Sequence, residues 1–175
     1  MRKLVIWAPL ALFALFALIV AGRLYKPGDS AIASHMVGKP LPAFALPAAL
    51  PGRPGLASRD FAGGGPRLLN IFASWCVPCA AESPQLVALR KAGVEIDAIA
   101  IRDRPEDIAE FLARYGDPYV RIGSDANSSV QMAMGSSGVP ESFVIDGKGV
   151  IRHQHIGDIR AEHVPEILAA IRAAQ

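Results

Sequence analysis

The stretch that decides the fold is "RLLNIFASWCVPCAAESP", Arg67 to Pro84. It begins as a short apolar run suited to a buried strand, "RLLNIFAS". It continues as a helix from the Cys76 region to about Ala92. At the junction stand Cys76 and Cys79, the 2 cysteines of the 175-residue chain. Three jobs are open to such a pair. As a structural staple it would close a very short loop, which the chain-entropy model rewards with only about 2 kcal/mol before strain. As half of a zinc site it lacks a second pair, and His153, His155 and His163 downstream do not replace one. As a redox couple it has positional support. The first sulfur sits at a helix N-terminus, where unpaired N–H groups and the helix dipole stabilise a thiolate. Cys76 is then expected to be exposed and to attack. Cys79, one turn further in, resolves the mixed disulfide. Pro78 falls in the first turn, where a missing N–H does little harm, and Pro84 falls mid-helix, where a kink is expected.

Outward from this stretch the elements alternate. "VEIDAIAI" reads as a second strand. "PEDIAEFLARYG" opens on Pro105, carries acids in its first turn and stops at Gly116. "PYVRIG" is a short strand. "NSSVQMAMG" is a short helix capped by Asn127 or Ser128 and stopped at Gly135. "ESFVIDGKGVIRHQHIG" makes two strands around an Asp146-Gly147 turn, and "RAEHVPEILAAIRAAQ" is a closing helix. The order β-α-β-α-β-α-β-β-α predicts an α/β domain with a mixed sheet, parallel first and antiparallel at the final hairpin. Upstream, "MVGKPLPAFALPAALPGRPG" is proline-punctuated and fits an edge strand or hairpin. The "AGGGP" loop at Ala62 to Pro66 has no phosphate-binding pattern after it.

Composition narrows the class. One domain with a core fits the chain length. Net charge is +2 without a long basic run, so nucleic acid is not an expected partner. Mean hydropathy is +0.30, and the N-terminus supplies much of it. Leu4 to Gly22 is uncharged, flanked by Arg2 and Lys3 before and Arg23 and Lys26 after. At about 1.5 Å per residue the run approaches the ~30 Å hydrocarbon core. It is longer than a signal-peptide core of about 7–15 residues, so we expect an uncleaved anchor over 1–22. A linker over 23–36 and a domain over 37–175 follow. Either an anchor or a signal exports the body of the chain to an oxidising compartment.

The residues "WCVPC" after a strand, Pro84 five positions beyond Cys79, and "GVPES" ahead of a strand resemble the thioredoxin family. The resemblance implies a thioredoxin-like fold, a mixed central sheet flanked by helices; with the N-terminal strand or hairpin extension and one preceding transmembrane helix read above, this completes the expected architecture. It also implies a cis-proline at Pro140 beside the Cys76–Cys79 disulfide, with Val139 pairing its backbone to substrate and Trp75, Val77 and Pro78 lining the docking strip. Over nearly the whole chain, "VGKPLPAFALP", "LLNIFASWCVPCAAE", "GDPY" and "GVPESFVIDGKGVIRHQHIGD" resemble the membrane-anchored thioredoxin-like proteins of cytochrome c maturation, the CcmG or DsbE type. Glu82 and Glu141 match that family's acids after the second cysteine and after the cis-proline. Glu82, at i+3 from Cys79, would be partly buried, raised in pKa and able to accept a proton. Glu141 would tune the thiols and favour cationic peptides. Read without the resemblance, Glu82 is a first-turn acid on the helix dipole and Glu141 a solvated loop acid. Ser137 departs from the family, which carries an aromatic residue there.

What the resemblance implies is a tethered reductant in the periplasm, held at the inner membrane by its N-terminal helix. It would reduce the disulfide of CxxCH haem-attachment sites in apocytochrome c. Its electrons would come from a DsbD- or CcdA-type membrane thiol transporter. No cofactor or metal beyond the redox-active disulfide is implied, and a monomer is the default. Within the same chemistry, a TlpA-like general or copper-pathway reductase and a DsbA-like oxidant are rivals. Outside it stand a peroxidase, whose Pro-x-x-x-Thr/Ser-x-x-Cys setting is missing, and a Sco-like copper chaperone, whose CxxxC spacing is not the one found here.

Overall fold

The computed structural model describes residues 2–24 and 36–175. The chain divides into two compact units, 1–33 and 34–175. The first holds one helix, α1 (Arg2–Leu24), with Pro9 inside it. Among the described residues no helix is long and apolar enough to cross a membrane. Most of the expected linker over 23–36 lies outside the described residues.

The second unit is an α/β domain. A two-stranded hairpin, β1 (Ala45–Leu46) and β2 (Leu56–Ala57), comes first. There follow β3 (Arg67–Phe72), α2 (Val77–Lys91), β4 (Ile96–Ile101), α3 (Pro105–Tyr115), β5 (Ile122–Asp125), α4 (Ser129–Ala133), β6 (Glu141–Ile145), β7 (Ile151–Ile156) and α5 (Val164–Ala173). The main sheet has the order β5-β4-β3-β6-β7. β3 pairs parallel with β4, and β4 with β5; β6 is antiparallel to both β3 and β7. Every residue of β4 and β6 is buried, so these strands read as continuous apolar runs interrupted only by polar residues that have partners to meet. Leu68, Leu69, Ile71, Phe72, Ile96, Ile99 and Phe143 form the middle of the core with Leu86 and Leu89 of α2.

The N-terminal segment closes the edges. Pro40 bridges to Val150 and Ala48 to Gly123, so the proline-rich stretch is a hairpin with single-residue contacts rather than a long edge strand. Proline removes the N–H groups that a longer ladder would need. Three local expectations shift. The third strand starts at Ile122, four residues beyond Pro118. The β6–β7 connection spans 146–150, with the Asp146 carboxylate accepting the N–H groups of Lys148 and Val150, so it is wider than a two-residue turn. The first turn of α4 is capped chiefly by the Asp125 carboxylate, which takes the N–H groups of Ser129, Val130 and Gln131. Asn127 adds one bond to Ser129, and Ser128 caps nothing with its side chain. A carboxylate satisfies three orphan donors where a hydroxyl satisfies one.

Candidate functional site

Topology assembles the site from distant segments. β3 ends at Phe72 and delivers the chain to Cys76, the N-cap of α2. Because β6 is antiparallel to β3, its first residue Glu141 pairs with Ile71 near the end of β3. Pro140 and Val139 are thereby carried to the end of the sheet where the cysteines stand. The Val139–Pro140 bond is cis.

Cys76 and Cys79 are joined in a disulfide, with Cα atoms 5.3 Å apart. The Cys76 sulfur also accepts the N–H of Cys79 at 3.2 Å. It therefore takes the capping position that a Ser or Asp oxygen usually fills, and it meets one orphan donor of the first turn. The expected exposure of Cys76 is corrected: its residue is 6% exposed and Cys79 1%. The sulfur folds back under its own helix N-terminus, and the neighbours Trp75 (55%) and Val77 (80%) form the exposed apolar surface beside it. Trp75 is held from behind. Its indole N–H donates to the Arg102 carbonyl at 3.3 Å, and the Arg102 guanidinium lies 5.9 Å from the ring centroid. Ser74 is fixed to the Asp103 carboxylate by its N–H and its hydroxyl, both at 2.6 Å.

Glu82 follows Cys79 by one turn and is 1% exposed. The Nδ2 of Asn70 donates to one carboxyl oxygen at 2.9 Å, and the N–H of Ile159 to the other at 3.0 Å. Desolvation outweighs these bonds and pushes its pKa up to about 7. Burial is thus more complete than its sequence position implied, and Glu82 is not a solvated dipole partner. Ser83, next along, returns its hydroxyl to the Cys79 carbonyl at 3.0 Å; α2 continues through Pro84.

Glu141 is also buried, which corrects the reading as a solvated loop acid. Its carboxylate accepts the N–H of Ser137 at 3.1 Å and a bond from the Gln154 side-chain amide. The backbone of Ser137 thus has a task at this site even though the aromatic side chain is missing. The histidines stand elsewhere. His155 and His163 are 4.5 Å apart between ring centroids. Among the described residues no group of His, Cys, Asp or Glu is arranged to hold a metal.

Sequence reasoning missed Asn70, Tyr119 and Ser142. The Tyr119 hydroxyl donates to the Asn70 carbonyl oxygen at 2.7 Å, and the Asn70 amide also donates to Ser142 Oγ at 3.0 Å. The available signal was the polar Asn inside the apolar run "RLLNIF", since a polar group in a two-face-buried strand needs partners.

Residues 36–171 match the Redoxin family. The chain is 36% identical to the thiol:disulfide interchange protein DsbE of Vibrio cholerae, over 98% of this chain and 95% of that protein. It is 32% identical to the thiol:disulfide interchange protein HelX of Rhodobacter capsulatus, over 97% and 98%. Among solved structures, a Chlorobium tepidum protein assigned as a thiol:disulfide interchange protein DsbE superposes with a TM-score of 0.63 at 28% identity. That match covers 79% of this chain and 96% of that one.

Proposed function

The chain belongs to the Redoxin family, among the DsbE and HelX thiol:disulfide interchange proteins, and from that premise we propose that it reduces the disulfide of CxxCH haem-attachment sites in apocytochrome c. Its chemistry is thiol-disulfide exchange. The observation that carries the assignment of roles is the unequal setting of the two sulfurs. Cys76 caps the helix, with an exposed apolar strip beside it; Cys79 lies one turn in, ahead of a buried carboxyl.

The Cys76 thiolate attacks one sulfur of the substrate disulfide. An S–S bond forms between enzyme and substrate, and the other substrate sulfur leaves as a thiolate. Glu82 takes the proton of Cys79, whose thiolate then attacks Cys76. The mixed disulfide breaks, the second substrate thiolate leaves, and the enzyme ends as the Cys76–Cys79 disulfide. Two electrons have passed to the substrate. A donor dithiol must return them, and a DsbD- or CcdA-type membrane thiol transporter is the donor we propose. Trp75, Val77, Pro78 and the Val139–Pro140 segment form the docking strip, and Glu141 tunes the thiols from within. The uncharged run Leu4 to Gly22 supports a tether to the inner membrane, with the domain over 37–175 in the periplasm. A tether raises the local concentration of the enzyme at a membrane-bound substrate. The disulfide is the only redox group this scheme uses.

A Cys79→Ala variant should trap a mixed disulfide with a CxxCH peptide through Cys76. Equal trapping by Cys76→Ala would show the roles to be reversed. The reduction potential tests direction. A reductant should sit well below the value of about −120 mV typical of a strong disulfide oxidant, and a value near that figure would overturn the reading.

A further inference from the structure

Asn70 is wholly buried in the middle of β3, between Leu69 and Ile71. Its side chain joins four parts of the fold. Nδ2 donates to Glu82 of α2 and to Ser142 of β6, and Oδ1 accepts from Tyr119, ahead of β5. A primary amide has one donating and one accepting end, and half a turn about its terminal torsion exchanges them. The direction of the Tyr119 bond therefore matters. Its hydroxyl is buried and has the Asn70 oxygen as its partner. A hydroxyl that donates there obliges the NH2 end to face Glu82. An N–H aimed at a carboxyl favours the ionised form, whereas a carbonyl oxygen in the same place is satisfied only by the protonated acid. Rotation of the amide would also strip the Tyr119 hydroxyl of its acceptor, which a buried donor resists. The ring cannot easily turn away, because it stacks on Phe72 at 5.1 Å between centroids.

We propose that Asn70 and Tyr119 are positioning residues for the exchange reaction: Tyr119 locks the Asn70 amide with its donor toward Glu82, and the pair thereby sets how readily Glu82 takes the Cys79 proton. This rests on the reading of Glu82 as that proton's acceptor. The other groups acting on Glu82 are Asp158, itself ion-paired with Arg160, and the N–H of Ile159, both beyond β7, with Cys79 one turn back on its own helix. Neither Asn70 nor Tyr119 touches the reacting sulfurs in this scheme. No electrons pass through them, and the proton moves from the Cys79 thiol to the Glu82 carboxylate. Burial raises the Tyr119 hydroxyl well above its ordinary range, which keeps it a neutral donor throughout.

The test is the pH dependence of mixed-disulfide resolution. Full-length protein carrying an aromatic thiol on Cys76 is followed as Cys79 expels it, between pH 5 and 9. In the wild type the rate rises as Glu82 ionises. Tyr119→Phe keeps the ring and its stacking, and frees the amide to rotate. Its rising limb should move to higher pH by about one unit, with the high-pH rate kept. Asn70→Ala, which removes the donor altogether, should move it the same way. A merely structural role would lower rate or stability without displacing the limb. Folded Tyr119→Phe and Asn70→Ala proteins whose limbs superpose on the wild type would overturn the proposal, provided Glu82→Gln abolishes the limb. Should Glu82→Gln itself retain the limb, the Glu82 reading fails and takes the proposal with it.

Discussion

Replacing Glu82 with Gln should change how stability depends on pH, and the size follows from the burial of one carboxyl. Glu82 is raised from 4.5 to about 7 by desolvation. Between those values the folded protein holds a proton that the unfolded chain has released. Stability therefore falls as pH rises through this window, and the loss is complete above about pH 7. At 1.36 kcal/mol per unit, a shift of this size amounts to about 3 kcal/mol. Gln cannot ionise, so the variant loses that slope. It keeps one of the two hydrogen bonds made to the carboxyl, since its NH2 end must meet either the Asn70 amide or the Ile159 N–H. The mismatch costs about 1–3 kcal/mol at every pH. The variant should then be the less stable protein near pH 4.5, and by pH 8 the difference should have changed by about 3 kcal/mol in its favour, leaving it level with the wild type or up to about 2 kcal/mol more stable. Urea unfolding of the oxidised proteins at five or six pH values measures this. Groups common to both proteins that do not act on Glu82, such as His155, cancel in the difference. Parallel curves for wild type and variant would show that Glu82 titrates in the folded state as it does in the unfolded chain, and the argument from desolvation would fail.

Three further outcomes follow from other contacts. Asp103→Ala removes two 2.6 Å bonds to Ser74 and should cost about 2 kcal/mol; in a Trp7→Phe background the emission of Trp75 should move to the red, and an unmoved spectrum would mean that Asp103 does not hold the tryptophan. Gly147→Ala would put a Cβ 2.1 Å from the Gly64 carbonyl oxygen, whereas at Gly65 a Cβ meets nothing within 4 Å. The first should cost more than about 2 kcal/mol in thermal unfolding and the second under about 1; equal losses would refute the close approach. Arg67→Met leaves the fully buried Asp97 without the guanidinium 3.0 Å away, so the loss should be about 3 kcal/mol at pH 7 and smaller at pH 4, where the orphaned carboxyl takes up a proton. A loss independent of pH would assign the effect to packing.

The parts of the fold legible in the sequence are those whose signals are local. "VEIDAIAI" is apolar enough to mark β4, and Pro105 with Gly116 brackets α3 within a residue. The cysteine pair marks the strand-to-helix junction because both flanking patterns end there. Less legible is anything fixed by which way a side chain turns, or by a partner far along the chain. The cap of α4 comes from Asp125, a strand residue, so the nearest Asn or Ser looked like the better choice. The exposure of Cys76 is hidden from the sequence for a related reason. Position in sequence says that a helix begins there, but whether the sulfur points outward or back into its own first turn depends on the turn geometry, which draws it onto the Cys79 N–H. Asn70 is the sharpest case. Its partners lie 12, 49 and 72 residues away, and it takes the β3–β6 and β3–β4–β5 pairings, with α2 packed on the sheet, to bring those segments to its side chain.

The setting of Glu82 also explains why a costly arrangement is kept at this point in the fold. A solvated glutamate near its ordinary pKa is ionised at neutral pH, yet it is a weak base for a thiol whose own pKa is near 8.5. Transfer is most efficient when acceptor and operating pH are close. Raising the acceptor to about 7 narrows the gap to the thiol by more than two units while leaving roughly half of the carboxyl ionised. Desolvation is the largest cause of a shift in that direction, with a smaller push from the Asp158 carboxylate, because both hydrogen bonds to Glu82 act the other way. Removing those bonds would raise the pKa further, but it would leave too little carboxylate at neutral pH to accept a proton. Asn70 and the Ile159 N–H therefore set a lower bound on ionisation while burial sets the basicity. The value near neutrality is a balance between them, not a by-product of a buried helix face.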